Sequence, residues 1–219
     1  MEDDGAGESV FPLPKLAVLI ALVLTPFIWG CSSPKVETGS YEQARASVHL
    51  VNVRGGNGSG VMVAPFLMLT AAHVVGDGKD ITVGPKAYPA KLVHKDEKND
   101  IALLHVAIVC PCAPFALPPK QDDTVLVVGF PVNHNIGIQI ATEGRIQGLK
   151  ENRLQLSAQA VGGNSGGGVF VMQGGEWRLA GILVEVAGWC MGFACYPVPH
   201  LSRAVDTQTM TDFMDRAVL

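Results

Sequence analysis

The sequence predicts an all-β fold of two six-stranded antiparallel β-barrels followed by a C-terminal helix. Three observations lead there. Short runs rich in Val, Ile and Leu recur along the chain with Gly, Pro, Asn or Asp in most of the gaps, the pattern of short strands and tight turns. A Pro-rich stretch, Pro111 to Pro119, divides these runs into two sets of six. Past residue 200 the apolar residues shift toward helical spacing.

The first set comprises 47–53, 60–64, 67–70, 81–83, 87–95 and 101–106, enough for one small barrel over residues 46–110. Residues 111–123 end in the polar Lys120-Gln121-Asp122-Asp123 and have the composition of a linker. The second set, 124–130, 138–149, 153–158, 168–172, 177–186 and 195–198, makes a second barrel over 124–200. Residues 201–219 space Ala204, Val205, Met210, Phe213, Met214 and Val218 roughly as a helix, which is expected to pack on the second barrel. No internal repeat, low-complexity tract or added peptide-binding (PDZ) domain is read in the sequence.

With 219 residues, 48% hydrophobic residues, 25 Gly and 14 Pro, the chain can bury a substantial core and turn often. The formal charge of -4 is concentrated in residues 1–30, which hold four acids against one base; from residue 31 onward 15 bases face 16 acids. A nucleic-acid binder would carry a basic excess or stripe, and neither is visible.

Lys15 precedes the apolar run 16–24, which has the length of a signal-peptide core and is short for a membrane span of roughly 20 residues. Residues 1–30 are therefore read as a signal peptide or a membrane anchor. Ile28-Trp29-Gly30-Cys31-Ser32-Ser33 resembles the bacterial lipobox, which implies lipidation at Cys31, although Trp29 stands where a small residue is preferred. A signal-anchored or simply secreted protein is the alternative. Each reading exports the globular part, to the periplasm or cell envelope for a lipoprotein. Residues 31–45, polar with Pro and Gly, read as a tether.

Four further cysteines are Cys110, Cys112, Cys190 and Cys195. They lack the paired CxxC spacing of a metal site, so no metal is expected. Export favours oxidation, and Cys190 and Cys195 bracket a loop short enough for a hairpin; a disulfide between them is expected.

Amide hydrolysis at neutral pH needs a nucleophile, a base, a group that orients the base, and donors for the oxyanion. Ser165 lies in Gly162-Gly163-Asn164-Ser165-Gly166-Gly167-Gly168, where glycines let backbone N–H groups converge beside the hydroxyl. His73 lies in Thr70-Ala71-Ala72-His73-Val74-Val75 at a strand end, and Asp100 in Asn99-Asp100-Ile101-Ala102-Leu103-Leu104 at a strand start. In this order the three segments resemble the His, Asp and Ser motifs of chymotrypsin-like serine proteases. "LQLSAQAVGGNSGG" and "VVGFPV...ATEGRIQG" are similar to the protease domain of the HtrA (Deg) family, so the resemblance covers about residues 46–205.

The resemblance implies a serine endopeptidase acting on polypeptides through a covalent acyl-enzyme, with no cofactor. It implies two perpendicular barrels with His73, Asp100 and Ser165 as the triad in the cleft between them, and an oxyanion hole made by the N–H groups of Gly163 and Ser165. Gln159 falls where trypsin-like members carry the Asp that selects Lys or Arg, so a basic preference is not implied. Gln159, Val184, Glu185 and Val186 are expected to line the substrate pocket. Val184 departs from the family, because many members carry a hydroxyl residue there.

Two rival classes remain. Gly163-Asn164-Ser165-Gly166-Gly167 also satisfies the G-x-S-x-G elbow of α/β-hydrolase esterases, but that fold needs the order Ser, acid, His and a helix after the Ser. A catalytically silent peptide-binding homologue is the other, and such proteins usually lose a member of the triad.

Overall fold

The computed structural model describes residues 41–109, 111–131, 137–191 and 194–218, apart from the side chains of 189–195 and 218. Residues 1–40, with the expected signal peptide or anchor and Cys31, lie outside the described residues, as does Cys110. So do the side chains of Cys190 and Cys195, although the strand register sets these two residues directly opposite each other.

Helix α1 (Tyr41–Ala46) precedes a first set of strands: β1 (Val48–Val53), β2 (Gly56–Ala64), β3 (Leu67–Thr70), β4 (Thr82–Val83), β5 (Tyr88–Asp96) and β6 (Ile101–Val106). Helix α2 (Ala72–Val75) sits between β3 and β4. The second set is β7 (Thr124–Gly129), β8 (Ile140–Lys150), β9 (Arg153–Leu156), β10 (Gly168–Gln173), β11 (Glu176–Met191) and β12 (Ala194–Asp206), followed by helix α3 (Thr207–Val218). Each set closes into an antiparallel barrel, ordered β1-β2-β3-β6-β5-β4 and β10-β11-β12-β9-β8-β7. The expected all-β double barrel with a C-terminal helix is thus the observed fold. Register shifts at Met62/Ala64, Leu92/His94 and Ile146/Gly148 supply the bends that closure of so small a barrel requires.

The apolar runs of β7 and β10 show how the barrels adhere. Side chains alternate across a strand, so a strand buried on both faces reads as a continuous apolar run. Val125, Val127, Val169 and Val171 point into the second barrel with Ile146, Leu154 and Leu156. Their neighbours Leu126, Val128 and Phe170 instead join the cluster of Val51, Val61 and Met68 from the first barrel. An apolar seam therefore holds the barrels together, and truncating a fully buried residue such as Phe170 to Ala costs about 3–5 kcal/mol.

Two boundaries differ from the sequence expectation. Residues 41–46 are helical rather than part of a tether: the Tyr41 ring meets Trp177 edge-on at 5.5 Å, and Arg45 Nε donates to Gln139 Oε1 at 3.0 Å. Residues 201–206 belong to β12, because pairing with β9 (Ser202↔Leu156 to Val205↔Arg153) is what closes the second barrel. The helix begins only at Thr207, capped by Asp206 Oδ1 accepting from Thr209 N at 2.9 Å. It also reaches beyond the second barrel, since Phe213 stacks on His94 of β5 at 5.1 Å and Arg216 reaches Asp96 at 3.4 Å. The Pro-rich connection lies where expected and is strapped to both barrels: Ala113 N donates to Met62 O at 2.8 Å, and Ala116 N to Leu179 O at 2.9 Å.

Candidate active site

β3 ends at Thr70, and the backbone at Ala71 is still extended before it turns into α2, which carries His73 in its first turn. Val74 and Val75 are buried beneath, so the imidazole is left on the open side, where its side chain is 49% exposed. Asp100 closes the turn between β5 and β6 with φ of 53°, a left-handed conformation that Asp and Asn tolerate better than most residues. Asp96 holds that turn, accepting from Asn99 N at 3.1 Å and from Asn99 Nδ2 at 2.8 Å.

The Asp100 carboxylate grips His73 with both oxygens, one on the backbone N–H and one on the ring. His73 N donates to Asp100 Oδ1 at 2.8 Å, and His73 Nδ1 lies 2.7 Å from Asp100 Oδ2. With an ionised carboxylate, Nδ1 carries the hydrogen and Nε2 is the free basic nitrogen. The hydrogen bond to Asp100 raises the His73 pKa above the ordinary imidazole value; partial burial opposes it and the Asp100 charge adds to it.

The glycine-rich loop of the second barrel brings Ser165 to the same cleft. Val161 O accepts from Asn164 N at 3.1 Å, and Gly163 has φ of 86°, the third-residue signature of a type II turn. Among the described residues neither Gly163 N–H nor Ser165 N–H donates to a backbone carbonyl, so both donors remain available. Gly166, with φ of 82°, packs so tightly against Ser59 O that no Cβ could be accommodated. Ser165, Gly163, Gly162 and His73 line one cavity of about 630 Å³. No hydrogen bond joins Ser165 to His73 among the described contacts.

Ser59 is the residue that the sequence reading missed. It ties the loop to the first barrel: Ser59 N donates to Ser165 O at 2.8 Å, Ser59 Oγ donates to Gly163 O at 2.9 Å, and Oγ accepts from Phe130 N at 2.8 Å. The signal was a serine between Gly58 and Gly60 inside a strand, since glycine in a strand often marks a close backbone approach.

The expected pocket residues do not line this cavity. Gln159 is exposed, and its carbonyl accepts from Thr142 Oγ1 at 2.7 Å. Val184 is buried, Val186 is half-buried, and Glu185 is paired with Arg203 at 3.0 Å. Asn164, beside Ser165, is 3% exposed, and its Oδ1 has no hydrogen-bond partner among the described residues. No group of three or more His, Cys, Asp or Glu among the described residues could hold a metal ion.

Comparison with known proteins agrees with this architecture. The chain is 25% identical over 173 residues to the periplasmic pH-dependent serine endoprotease DegQ of Escherichia coli, covering 72% of this chain and 38% of that protein. It is 35% identical over 94 residues to the serine protease MT3772 of Mycobacterium tuberculosis, covering 41% of this chain and 23% of the relative. The chain thus spans well under half the length of these curated relatives. The crystal structure of the serine endoprotease from Yersinia pestis superposes with a TM-score of 0.67 at 30% identity, over 82% of this chain and 66% of that one. The inactive form of the Rv3671c protease of M. tuberculosis shares the fold, with a TM-score of 0.66 at 22% identity over 81% of this chain and 92% of that one. The family model of the trypsin-like peptidase domain matches residues 58–182, more than half of the chain, which therefore belongs to that family.

Proposed function

We propose that the protein is a serine endopeptidase using Ser165 as nucleophile, His73 as general base and acid, and Asp100 as the group that orients His73 and stabilises its imidazolium. The observation that carries this reading is the bidentate His73–Asp100 pair, opening onto the same cavity as Ser165 and the unengaged N–H groups of Gly163 and Ser165. His73 Nε2 takes the Ser165 hydroxyl proton as Oγ adds to the substrate carbonyl. The tetrahedral oxyanion receives the Gly163 and Ser165 N–H bonds. Collapse breaks the C–N bond, His73 passes its proton to the departing amine, and an acyl-Ser165 ester remains. Water deprotonated by His73 then attacks the ester, and return of the proton to Ser165 Oγ releases the acid. The order His73, Asp100, Ser165 and the strand β10 after the nucleophile both argue against the esterase reading.

The substrate's acyl side is proposed to lie along the second barrel by Gln159, Val184, Glu185 and Val186. Because Arg203 already engages Glu185, that region offers no unpaired carboxylate to a basic side chain, and small to medium uncharged residues are the favoured fit. The domain is proposed to span 46–205. Export with a lipid anchor at Cys31 and a Cys190–Cys195 disulfide belong to the same proposal; a relative named as periplasmic supports the export. An active-site phosphonate probe tests the central reading. It should label Ser165 in the wild-type protein and leave Ser165→Ala unlabelled, and a wild-type protein that takes up no label sinks the reading.

A further inference from the structure

The cavity at Ser165 extends past His73 to the β1–β2 turn and the segment after α2, where Arg54, Asp77 and Lys79 line it. All three belong to the first barrel, on the His73 side of the nucleophile. In acyl transfer the acyl half stays bonded to the serine, while the leaving amine departs from the histidine that protonates it. This end of the cavity therefore receives the residues that follow the scissile bond.

Its charge is lopsided. Arg54 is exposed and forms no ion pair among the described residues. Lys79 reaches Asp77 at 3.4 Å, but both side chains are largely exposed (78% and 70%), so that pair is weak and readily exchanged. On the other flank of His73, Lys95 is already taken by Glu97 at 2.8 Å and by Gly76 O at 2.8 Å, and adds no unpaired charge. Two cations and one anion thus face the leaving group, on a domain whose bases and acids otherwise nearly balance. The guanidinium of Arg54 offers a planar donor fork that matches a carboxylate.

We infer that Arg54 and Lys79 select substrates carrying a carboxylate within the first few residues after the scissile bond, either an Asp or Glu side chain or the C-terminus of a short leaving peptide. This rests on the endopeptidase reading, since it assigns the leaving-group side of the same site.

The test uses internally quenched peptides with one neutral acyl half. Their leaving halves carry Ala, Glu or Lys at the first three positions, and each series ends in either a free carboxylate or an amide. Glu peptides should exceed Lys peptides in kcat/KM by about 3- to 10-fold at low salt, and the ratio should shrink as salt is raised. The double substitution Arg54→Glu, Lys79→Glu should invert that ratio. A gain from the free C-terminus alone identifies the terminal carboxylate as the group recognised; a gain from Glu with either terminus identifies the side chain. Equal rates for Glu and Lys peptides, with no gain from the free C-terminus, overturn the inference. Binding of the same peptides to Ser165→Ala, read by fluorescence anisotropy, separates the two readings. If no peptide is cleaved by wild type, the endopeptidase assignment fails, and binding indifferent to the leaving-half charge still refutes the carboxylate site.

Discussion

The two barrels share one strand order yet hold their contributions to the cleft by different means. In the first barrel a side-chain carboxylate does the holding: Asp100 accepts from the His73 backbone N–H at 2.8 Å and lies 2.7 Å from its ring Nδ1, across the ends of β3 and β6. In the second the site is built from backbone: a glycine turn exposes N–H groups, and the carbonyls of Gly163 and Ser165 accept from Ser59 of the first barrel. The His73–Asp100 pair is therefore complete within one barrel, whereas the place of Ser165 depends on contacts across the seam. Substitutions in the pair should change chemistry and titration. Those at the seam should change alignment and stability.

The largest effect expected is at the proposed nucleophile and base. Ser165→Ala and His73→Ala should each lose on the order of a millionfold in kcat, and the double variant little more, because the two act as one unit. Single-turnover hydrolysis of a quenched peptide measures this, and additive losses would separate the pair.

Asp100→Asn comes next. It keeps the shape of the side chain but favours the wrong imidazole tautomer, and a loss of about ten-thousandfold in kcat is expected. The pH dependence supplies a sharper reading. His73 works as a base only when neutral, so activity falls as pH drops through its pKa, which Asp100 holds above the ordinary value of about 6.5. The wild-type acid limb should lie correspondingly high. Removing the Asp100 charge should move the limb of the residual activity to lower pH, and an unmoved limb would show that Asp100 does not set the His73 titration.

The same contrast explains what could be read from sequence. His73, Asp100 and Ser165 could be singled out as candidates because each sits in a recognisable local segment close to a strand. Ser59 was not, because its role is two long-range bonds, 104 and 71 residues away in sequence, and no local pattern encodes the partner. The continuous apolar runs of β7 and β10 announced burial on both faces without saying which face meets the other barrel. The repeated strand order is likewise invisible, since closure asks only for alternation and bends, which many side chains satisfy. The helix boundary was misplaced for a related reason: Ala204 and Val205 fit either spacing, and pairing with β9 decides for strand.

Ser59→Ala should show the seam at its most consequential. The change leaves Phe130 N and Gly163 O without their partner in a buried setting, at a cost of at least about 2 kcal/mol in stability. Because Gly163 also supplies an oxyanion donor in the proposed mechanism, kcat should fall about 10- to 100-fold while KM changes little. Thermal melting and steady-state kinetics on one preparation check both, and a loss confined to stability would reduce Ser59 to a packing role.

The smallest expected effect lies at the far end of the Asp100 turn. Asn152 Nδ2 donates to Asn99 Oδ1, and Arg153 Nη2 donates to Asn99 O at 3.2 Å, so the β8–β9 turn of the second barrel grips the turn of the first that carries Asp100. Asn152→Ala removes one part-buried hydrogen bond, worth about 1 kcal/mol. Asp96 still holds Asn99 from within the first barrel, so Asp100 should keep its place against His73. If the grip only aligns the preformed pair with Ser165, kcat should fall a few-fold and the acid limb should stay where it is. A limb displaced to lower pH would mean that the second barrel also holds Asp100 against His73, and the pair would then no longer be the property of one barrel.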